Sequence, residues 1–245
     1  MSASAGMAVV LSQLRPRRDG SSLVGGDPAV CAQVLGVDGV AVSLRVGATP
    51  NELVWASPGT STWLEEAQFT LGQGPGPDVS RTLSPILVPE VAALSEDRWP
   101  MLLPALADHA VGALFCLPLT LGGACWGTLT LQRATAGHLK VPAMNDALIL
   151  TRALTAMIAG PPSEQLTAFA EARAPSDLYW GAVHQATGMI SVQAGVSLAD
   201  ALLLLRAHAF EEGRTTVQVA DDVVARRLRL SYEGPMPGEA GESRG

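Results

Sequence analysis

Residues 111–131 read VGALFCLPLTLGGACWGTLTL, a run with no charge that is long enough to cross a bilayer as a helix. Three features oppose that reading. Pro118 sits near its middle, Gly122 and Gly123 are adjacent, and the second half alternates: Trp126, Thr128 and Thr130 fall on one face, Gly127, Leu129 and Leu131 on the other. Paired glycines between two apolar runs signal a hairpin, and a proline with such a turn does not suit a membrane helix. The stretch is a buried β-hairpin. With the turn at the glycines, Leu121 faces Ala124 and Cys116 faces Leu129. Cys116 and Cys125 are then not cross-strand partners, and they read as small core hydrophobes.

Working outward, Asp27-Pro28 opens a short helix to about Leu35, Asp being a suitable N-cap and Pro a suitable first residue. GVAVSLRV (39–46) and ELVWAS (52–57) form a second hairpin across GATPN. STWLEEAQFTL (61–71) is a helix closed by Gly72, and SPILVPEV (84–91) is a short strand bounded by prolines. RWPMLLPALADHA (98–110) is a helix whose first half Pro104 disturbs. A last helix runs from about Pro142 to Ala159. This order predicts an α+β domain, a mixed sheet flanked by helices, over residues 27–159. Residues 1–26 read as a flexible leader and 160–175 as a linker, with Pro175 at the next boundary.

Residues 176–232 then form a small all-α unit of three helices, followed by a disordered tail, 233–245. The first starts near Ser176 or Asp177, aligns Tyr179, Val183, Ala186 and Ile190, and ends at Gly195. Ser197 with Asp200 caps the second, which aligns Leu198, Ala201, Leu202, Leu205 and Ala209 before Gly213. Thr215 with Gln218 caps the third, with Val219, Val223 and Leu228 as its stripe. A bundle this small gains from packing on a second copy, so a homodimer is expected.

The 245 residues are 48% hydrophobic and carry a net charge of −7, with no strongly basic segment, so bulk electrostatics announces no nucleic-acid partner. Cys31, Cys116 and Cys125 show no CxxC pattern, and His109, His138, His184 and His208 show no metal-ligand spacing. No metal, disulfide framework or cofactor is expected. In MSASAGMAVVLSQLRPRR the arginines follow the apolar patch, the wrong order for a signal peptide, and the expectation is a cytoplasmic protein with no membrane partner.

Candidate sites are few. LGQGPGPD (71–78) is not GxGxxG, lacks a preceding strand and a following Gly-Lys-Ser/Thr, and reads as a mobile loop over a pocket. Trp55, Trp63, Trp99 and Trp126 read as core before they read as a ligand cavity. No histidine has a partner suggesting catalysis, so no catalytic residue and no enzyme are expected. ARRLRL places Arg226, Arg227 and Arg229 within one turn of the last helix, with Arg206 on the helix before it. On charge alone this is a solvated helix end that offsets the dipole; the sharper reading is a phosphate-contacting patch.

HQATGMISVQAGVSLADALLLLRAHA (184–209), followed by VQVADDVV, resembles an ANTAR domain, a three-helix RNA-binding module of bacterial antiterminators. The family's Gln-Ala-Lys-Gly and apolar pair fall at Gln185-Ala186-Thr187-Gly188-Met189-Ile190. Its acid-Ala-aromatic turn and Leu-Arg fall at Asp200-Ala201-Leu202 and Leu205-Arg206, and its last apolar positions at Ala220, Val223 and Val224. Two positions depart: the lysine is Thr187 and the aromatic is Leu202. Residues 27–159 resemble a GAF domain in element order and in LGQGPGPD, where such proteins carry a Gly-x-Gly-Pro loop. No cyclic-nucleotide signature is present, and the ligand-binding residues are left open.

These resemblances imply a transcription antitermination regulator. The GAF domain would sense a small ligand or partner, and the ANTAR domain would bind stem-loops in nascent RNA through His184, Gln185, Thr187, Gly188, Arg206, Arg226, Arg227 and Arg229. The alternatives are a DNA-binding regulator on the same helices, or a dimeric ligand-sensing or interaction protein that has lost RNA binding.

Overall fold

A computed structural model describes residues 2–14, 25–45, 52–158 and 179–231. The GATPN turn, the 160–175 linker, the expected helix start near Ser176 and the 233–245 tail lie outside the described residues. The chain divides into two compact units, Met1–Gly181 and Ala182–Gly245. Among the described residues no single helix is long and apolar enough to cross a membrane.

The first unit is built on a five-stranded sheet in the order β2-β1-β5-β4-β3. The strands are β1 (Gly39–Leu44), β2 (Glu52–Ala56), β3 (Ile86–Val88), β4 (Ala113–Leu121) and β5 (Ala124–Arg133). The expected α+β architecture is present, but the sheet expected to be mixed is antiparallel at every described pairing. The 111–131 run is the β4–β5 hairpin, and β5 lies between β4 and β1.

Helices α1 (Ala5–Gln13), α2 (Pro28–Leu35) and α6 (Val141–Ile158) pack with one face of the sheet, around Val40, Val42, Phe115, Leu117, Leu129 and Leu131. Helices α3 (Thr60–Leu71) and α4 (Pro75–Thr82) lie against the other face. There Leu64 joins Val88, Trp99, Leu114 and residues of α5 (Leu102–Asp108) in a second apolar cluster. The start of α2 is as expected: Asp27 Oδ1 accepts from Ala29 N–H at 2.8 Å, and Pro28 occupies the first turn. Helix α5 begins only at Leu102, three residues after Trp99 takes a left-handed backbone (φ 54°). That shortens the helix expected over 98–110.

Register holds one correction. Leu121 does face Ala124, but an irregularity between Leu119 and Thr120 makes Trp126 an extra residue on β5. Cys116 therefore faces Thr130, and it is Leu117 that faces Leu129. Cys116 and Cys125 remain unpartnered across the strands and are free thiols. A similar shift between Val42 and Ser43 lets both Val54 and Trp55 reach the same core.

Two further expectations are corrected. Residues 5–13, within the leader read as flexible, form α1. Ser4 caps it by accepting from Met7 N–H, and the Ser4 backbone N–H donates to Asp146 on α6 at 2.9 Å. Met7 is fully buried in the core. Residues 75–78, read as part of a mobile loop, open α4. Pro75 at its start loses nothing, since the first helical N–H groups have no intrahelical partner.

In the second unit, α7 (Gly181–Ala194), α8 (Leu198–Glu211) and α9 (Thr216–Val224) follow the expected stripes. Val183, Ala186 and Ile190, then Ala201, Leu205 and Ala209, then Val219 and Val223 are buried, and α8 packs on α9. Three stripe residues depart: Leu228 lies beyond the end of α9, Leu198 is exposed, and Tyr179 precedes α7, in the first unit, and is 40% exposed, while its neighbour Trp180 is buried and stacks on Phe69. Thr215 and Gln218 complete a capping box on α9, whereas on α8 the Ser197 hydroxyl accepts from Asp200 N–H and donates to the Asp200 carboxylate.

Truncation of Met7 to alanine is expected to destabilise the first unit by about 2–5 kcal/mol. The readout is the midpoint of chemical denaturation; an unmoved midpoint would mean that α1 is no part of this core.

Candidate functional site

The second face of the sheet is polar and yet closed. Ser43 on β1 and Thr128, Thr130 and Gln132 on β5 all point to it and are almost wholly buried. Ser43 and Thr128 are cross-strand neighbours, and Thr130 lies between Ala41 and Cys116. Helix α3 covers them with Ser61, Glu65 and Gln68, which helical spacing places on one buried face.

Glu65 is the centre of this cluster. Ser43 Oγ donates to Glu65 Oε2 at 2.7 Å, Gln68 Nε2 donates to Oε1 at 3.0 Å, and the Thr130 hydroxyl adds a third hydrogen bond. Gln68 Oε1 in turn accepts from Gly76 N–H at 2.7 Å, which fixes its amide: the nitrogen end must face Glu65. The glycines of LGQGPGPD are explained here. A Cβ at Gly74 would come within 2.6 Å of the Gln68 side chain, and one at Gly76 within 3.1 Å. Their absence lets the start of α4 close onto Gln68.

Burial pushes the Glu65 carboxyl above the usual carboxylate range, opposed by its hydrogen bonds to Ser43, Thr130 and Gln68; no cation is among the groups acting on it. Burial also pushes up the Cys116 thiol, with the Glu65 charge adding to it, and raises Cys31 to about 12. Both thiols stay protonated at neutral pH and are poor nucleophiles. Among the described residues of this unit, Ser61 Oγ and Trp126 Nε1 are buried with no hydrogen-bond partner, while the Thr128 hydroxyl meets the Cys116 thiol. Native interiors seldom leave such groups unsatisfied. Among the described residues, no group of three or more His, Cys, Asp or Glu side chains could hold a metal ion.

None of these residues was singled out as a ligand site from sequence. The alternation of Trp126, Thr128 and Thr130 was visible. So was the spacing that puts Glu65 on the apolar stripe of α3, and together they carried the signal. Of the tryptophans, Trp55 and Trp99 are buried in the two cores, and Trp63 packs against the second while stacking on His109 at 3.5 Å.

The second unit brings some of the sequence-predicted RNA residues together. Gln185 and Gly188 on α7 and Arg226 after α9 line a shallow apolar groove with Met189, Val192 and Gln193. A Cβ on Gly188 would meet nothing within 4 Å, so no packing inside the unit asks for glycine. Other residues stand differently. Thr187 is buried, and its hydroxyl donates to Val183 C=O at 2.7 Å, so its side chain faces inward. His184 is half-buried. Arg206 is largely enclosed, and desolvation lowers its pKa to about 10, which leaves it charged at neutral pH.

The three terminal arginines are not on a helix. Helix α9 ends at Val224, because Arg226 takes a left-handed backbone (φ 60°) and its N–H returns to Val223 C=O. Arg227 donates through Nε to Asp222 at 2.7 Å, beside Arg214, which bonds the same carboxylate. Those two hydrogen bonds hold the Asp222 carboxyl below its ordinary range. Arg226 and Arg229 are exposed.

The raised Glu65 pKa has a sign. Stability from the neutral carboxyl is complete below the ordinary carboxylate range and is lost as pH rises towards the folded value. Glu65→Gln, which cannot ionise, is expected to melt progressively higher than the native chain as pH is raised from about 4.5 to about 8, with the gap closing at the acid end. A gap independent of pH, measured by thermal denaturation, would refute the assignment.

A family model for the GAF domain matches residues 29–160. No curated protein matches the chain. Among solved structures, the GAF domain of a phosphoenolpyruvate-protein phosphotransferase from Coxiella burnetii is 17% identical, over 69% of this chain and 99% of that one, with a TM-score of 0.48. A domain of a two-component sensor histidine kinase protein from Sinorhizobium meliloti is 20% identical over 60% and 92%, with a TM-score of 0.46. Free methionine-R-sulfoxide reductase from Neisseria meningitidis, solved with its substrate, is 15% identical over 71% and 97%, with a TM-score of 0.46. On the family match, which spans more than half of its residues, the chain belongs to the GAF family.

Proposed function

We propose that this chain is a cytoplasmic antitermination regulator and not an enzyme. Its GAF domain senses a small ligand or a partner. Its helical unit is an ANTAR-type module that binds stem-loops in nascent RNA and opposes terminator formation, working as a homodimer. GAF domains commonly bind small molecules, and the enclosed polar cluster around Glu65 is the natural place for one here.

The observation that carries the RNA reading is Gly188. Glycine in a helix interior costs roughly 1 kcal/mol relative to alanine. Nothing within the unit approaches Gly188 to require it, and the groove beside it ends at an exposed arginine. A backbone left bare in that way admits close approach by a large molecule. Gln185 would hydrogen-bond unpaired bases, while Arg226 and Arg229 would hold phosphates. Arg227 and Thr187 drop out of the contact set, the first engaged by Asp222 and the second by its own helix.

A second reading has its own support. Val192, Leu198, Leu203 and Phe210 are exposed on α7 and α8, and a module that docks protein, or a second copy, would use such residues. Gel shifts with stem-loop RNA and with duplex promoter DNA separate these readings from a DNA-binding regulator.

Gly188→Ala is expected to stabilise the helical unit by up to about 1 kcal/mol while weakening stem-loop binding. Arg226→Ala with Arg229→Ala should weaken binding uniformly across RNA sequences and flatten its salt dependence by about 1.5–2 in log–log slope. Unchanged RNA affinity in both variants, with a stable dimer by light scattering, would favour the docking module.

A further inference from the structure

The helical unit has little net charge to offer RNA. Between residues 182 and 231 its five arginines (Arg206, Arg214, Arg226, Arg227 and Arg229) are matched by five acids (Asp200, Glu211, Glu212, Asp221 and Asp222). Four of these groups form one cluster. Arg214 donates to Glu212 at 2.9 Å, to the Asp222 carboxylate at 2.6 Å and to Gln218 C=O at 3.1 Å. Arg227 donates through Nε to the same Asp222 carboxylate at 2.7 Å. Two acids and two arginines leave the cluster neutral. Arg226 and Arg229, which flank Arg227 in sequence, are exposed and form no ion pair among the described residues.

Asp222 holds Arg227 twice. Its backbone C=O accepts from Arg227 N–H at 2.8 Å and from Leu228 N–H at 3.2 Å, which fixes the turn begun by the left-handed Arg226. Its carboxylate, 22% exposed, is far more enclosed than the Arg227 side chain, at 64%. A phosphate can draw Arg227 aside, but it cannot clear the acid away, and it meets a pair whose charges cancel. Each cation that neutralises a phosphate adds one salt-dependent increment of affinity, whatever the sequence. Sequence is read by contacts to bases. A free arginine beside Arg226 would therefore add grip on any RNA without favouring the right one.

We propose that Asp222 is a specificity-determining residue of the helical unit, one that withholds Arg227 from phosphates so that binding depends on the Gln185–Gly188 groove with Arg226 and Arg229. This extends the RNA reading above and rests on it. Asp222 acts through Arg227 rather than by touching RNA. Three arginines stand within four residues, and only two of them are presented. A flexible strand can bring a phosphate to any free cation, whereas a folded stem-loop seated in the groove cannot. Releasing Arg227 therefore helps the wrong RNA more than the right one.

The test uses the full chain and two probes: a hairpin RNA selected on the native chain from a randomised-loop pool, and polyuridylate. Fluorescence anisotropy over a range of salt gives affinity and slope, and circular dichroism checks the folding of each variant. Asp222→Asn is expected to bind polyuridylate several-fold more tightly, with a log–log salt slope steeper by about 0.7. The hairpin gains little, so discrimination falls. Asp221→Asn removes the same charge one residue away, where no ion pair is present among the described residues, and should leave the slope unchanged. Arg227→Gln alone should also leave it unchanged, and added to Asp222→Asn it should cancel the gain. Equal steepening in Asp221→Asn would reduce the effect to bulk charge and overturn the assignment of Asp222. A slope flattened by about 0.7 in Arg227→Gln alone would overturn it independently of any change at Asp222, since Arg227 would then already hold a phosphate. Unchanged slope and discrimination in a folded Asp222→Asn chain would do the same, leaving the RNA reading in place. A native chain on which no hairpin can be selected overturns the RNA reading, and the role of Asp222 with it.

Discussion

Strand β5 is paired along both edges and buried on both faces, and the larger unit is arranged around the division it makes. Leu129 and Leu131 send hydrocarbon to one side, where α1, α2 and α6 supply more of it. Thr128, Thr130 and Gln132 send hydroxyls and an amide to the other. A polar face cannot be closed by an ordinary apolar helix, because each covered hydroxyl would lose its water without replacement. Helix α3 meets most of that demand with Glu65 and Gln68 at helical spacing. Gln68 passes the demand on to α4, whose first turn must come close enough to donate a backbone N–H. Gly74 and Gly76 follow from that approach, since a side chain at Gly74 would collide with the amide.

How much of this the sequence discloses depends on whether the determinant is local. The hairpin, the Asp27-Pro28 helix start, the Thr215–Gln218 capping box and the central positions of the stripes of α7–α9 are each written within a few residues, and each is recovered in the structure. Helix α4 is not legible, because PGP beside glycines has the composition of a loop and only the contact with Gln68 gives it another use. Helix α1 depends on Asp146, well over a hundred residues away, and so reads as a loose leader. The extra residue at Trp126 shifts Cys116 by one place, a slip that counting back from the turn cannot register.

The candidate sites divide in the same way. Positions read by family register in the helical unit were found, but their directions were not: Thr187 turns inward, and the arginine run leaves the helix at Arg226. Register along a motif says which turn a residue occupies. Whether its side chain is spent inside the protein is decided by neighbours such as Val183 and Asp222. The acidic cluster went unread for the opposite reason. Glu65 belongs to no motif, and a single acid in an amphipathic helix ordinarily faces water.

Glu65 and Gly188 are alike in one respect. Each is a locally unfavourable choice, a buried acid without a counter-charge and a glycine within a helix; Ser43, Thr130 and Gln68 offset part of the first cost, and no neighbour in its unit requires the second. Sequences that specify one fold are generally consistent across such levels, and the exceptions concentrate where something from outside completes the structure. The two exceptions differ in kind. Glu65 is enclosed, and its hydrogen bonds come from its own unit; Gly188 is open, beside an apolar groove.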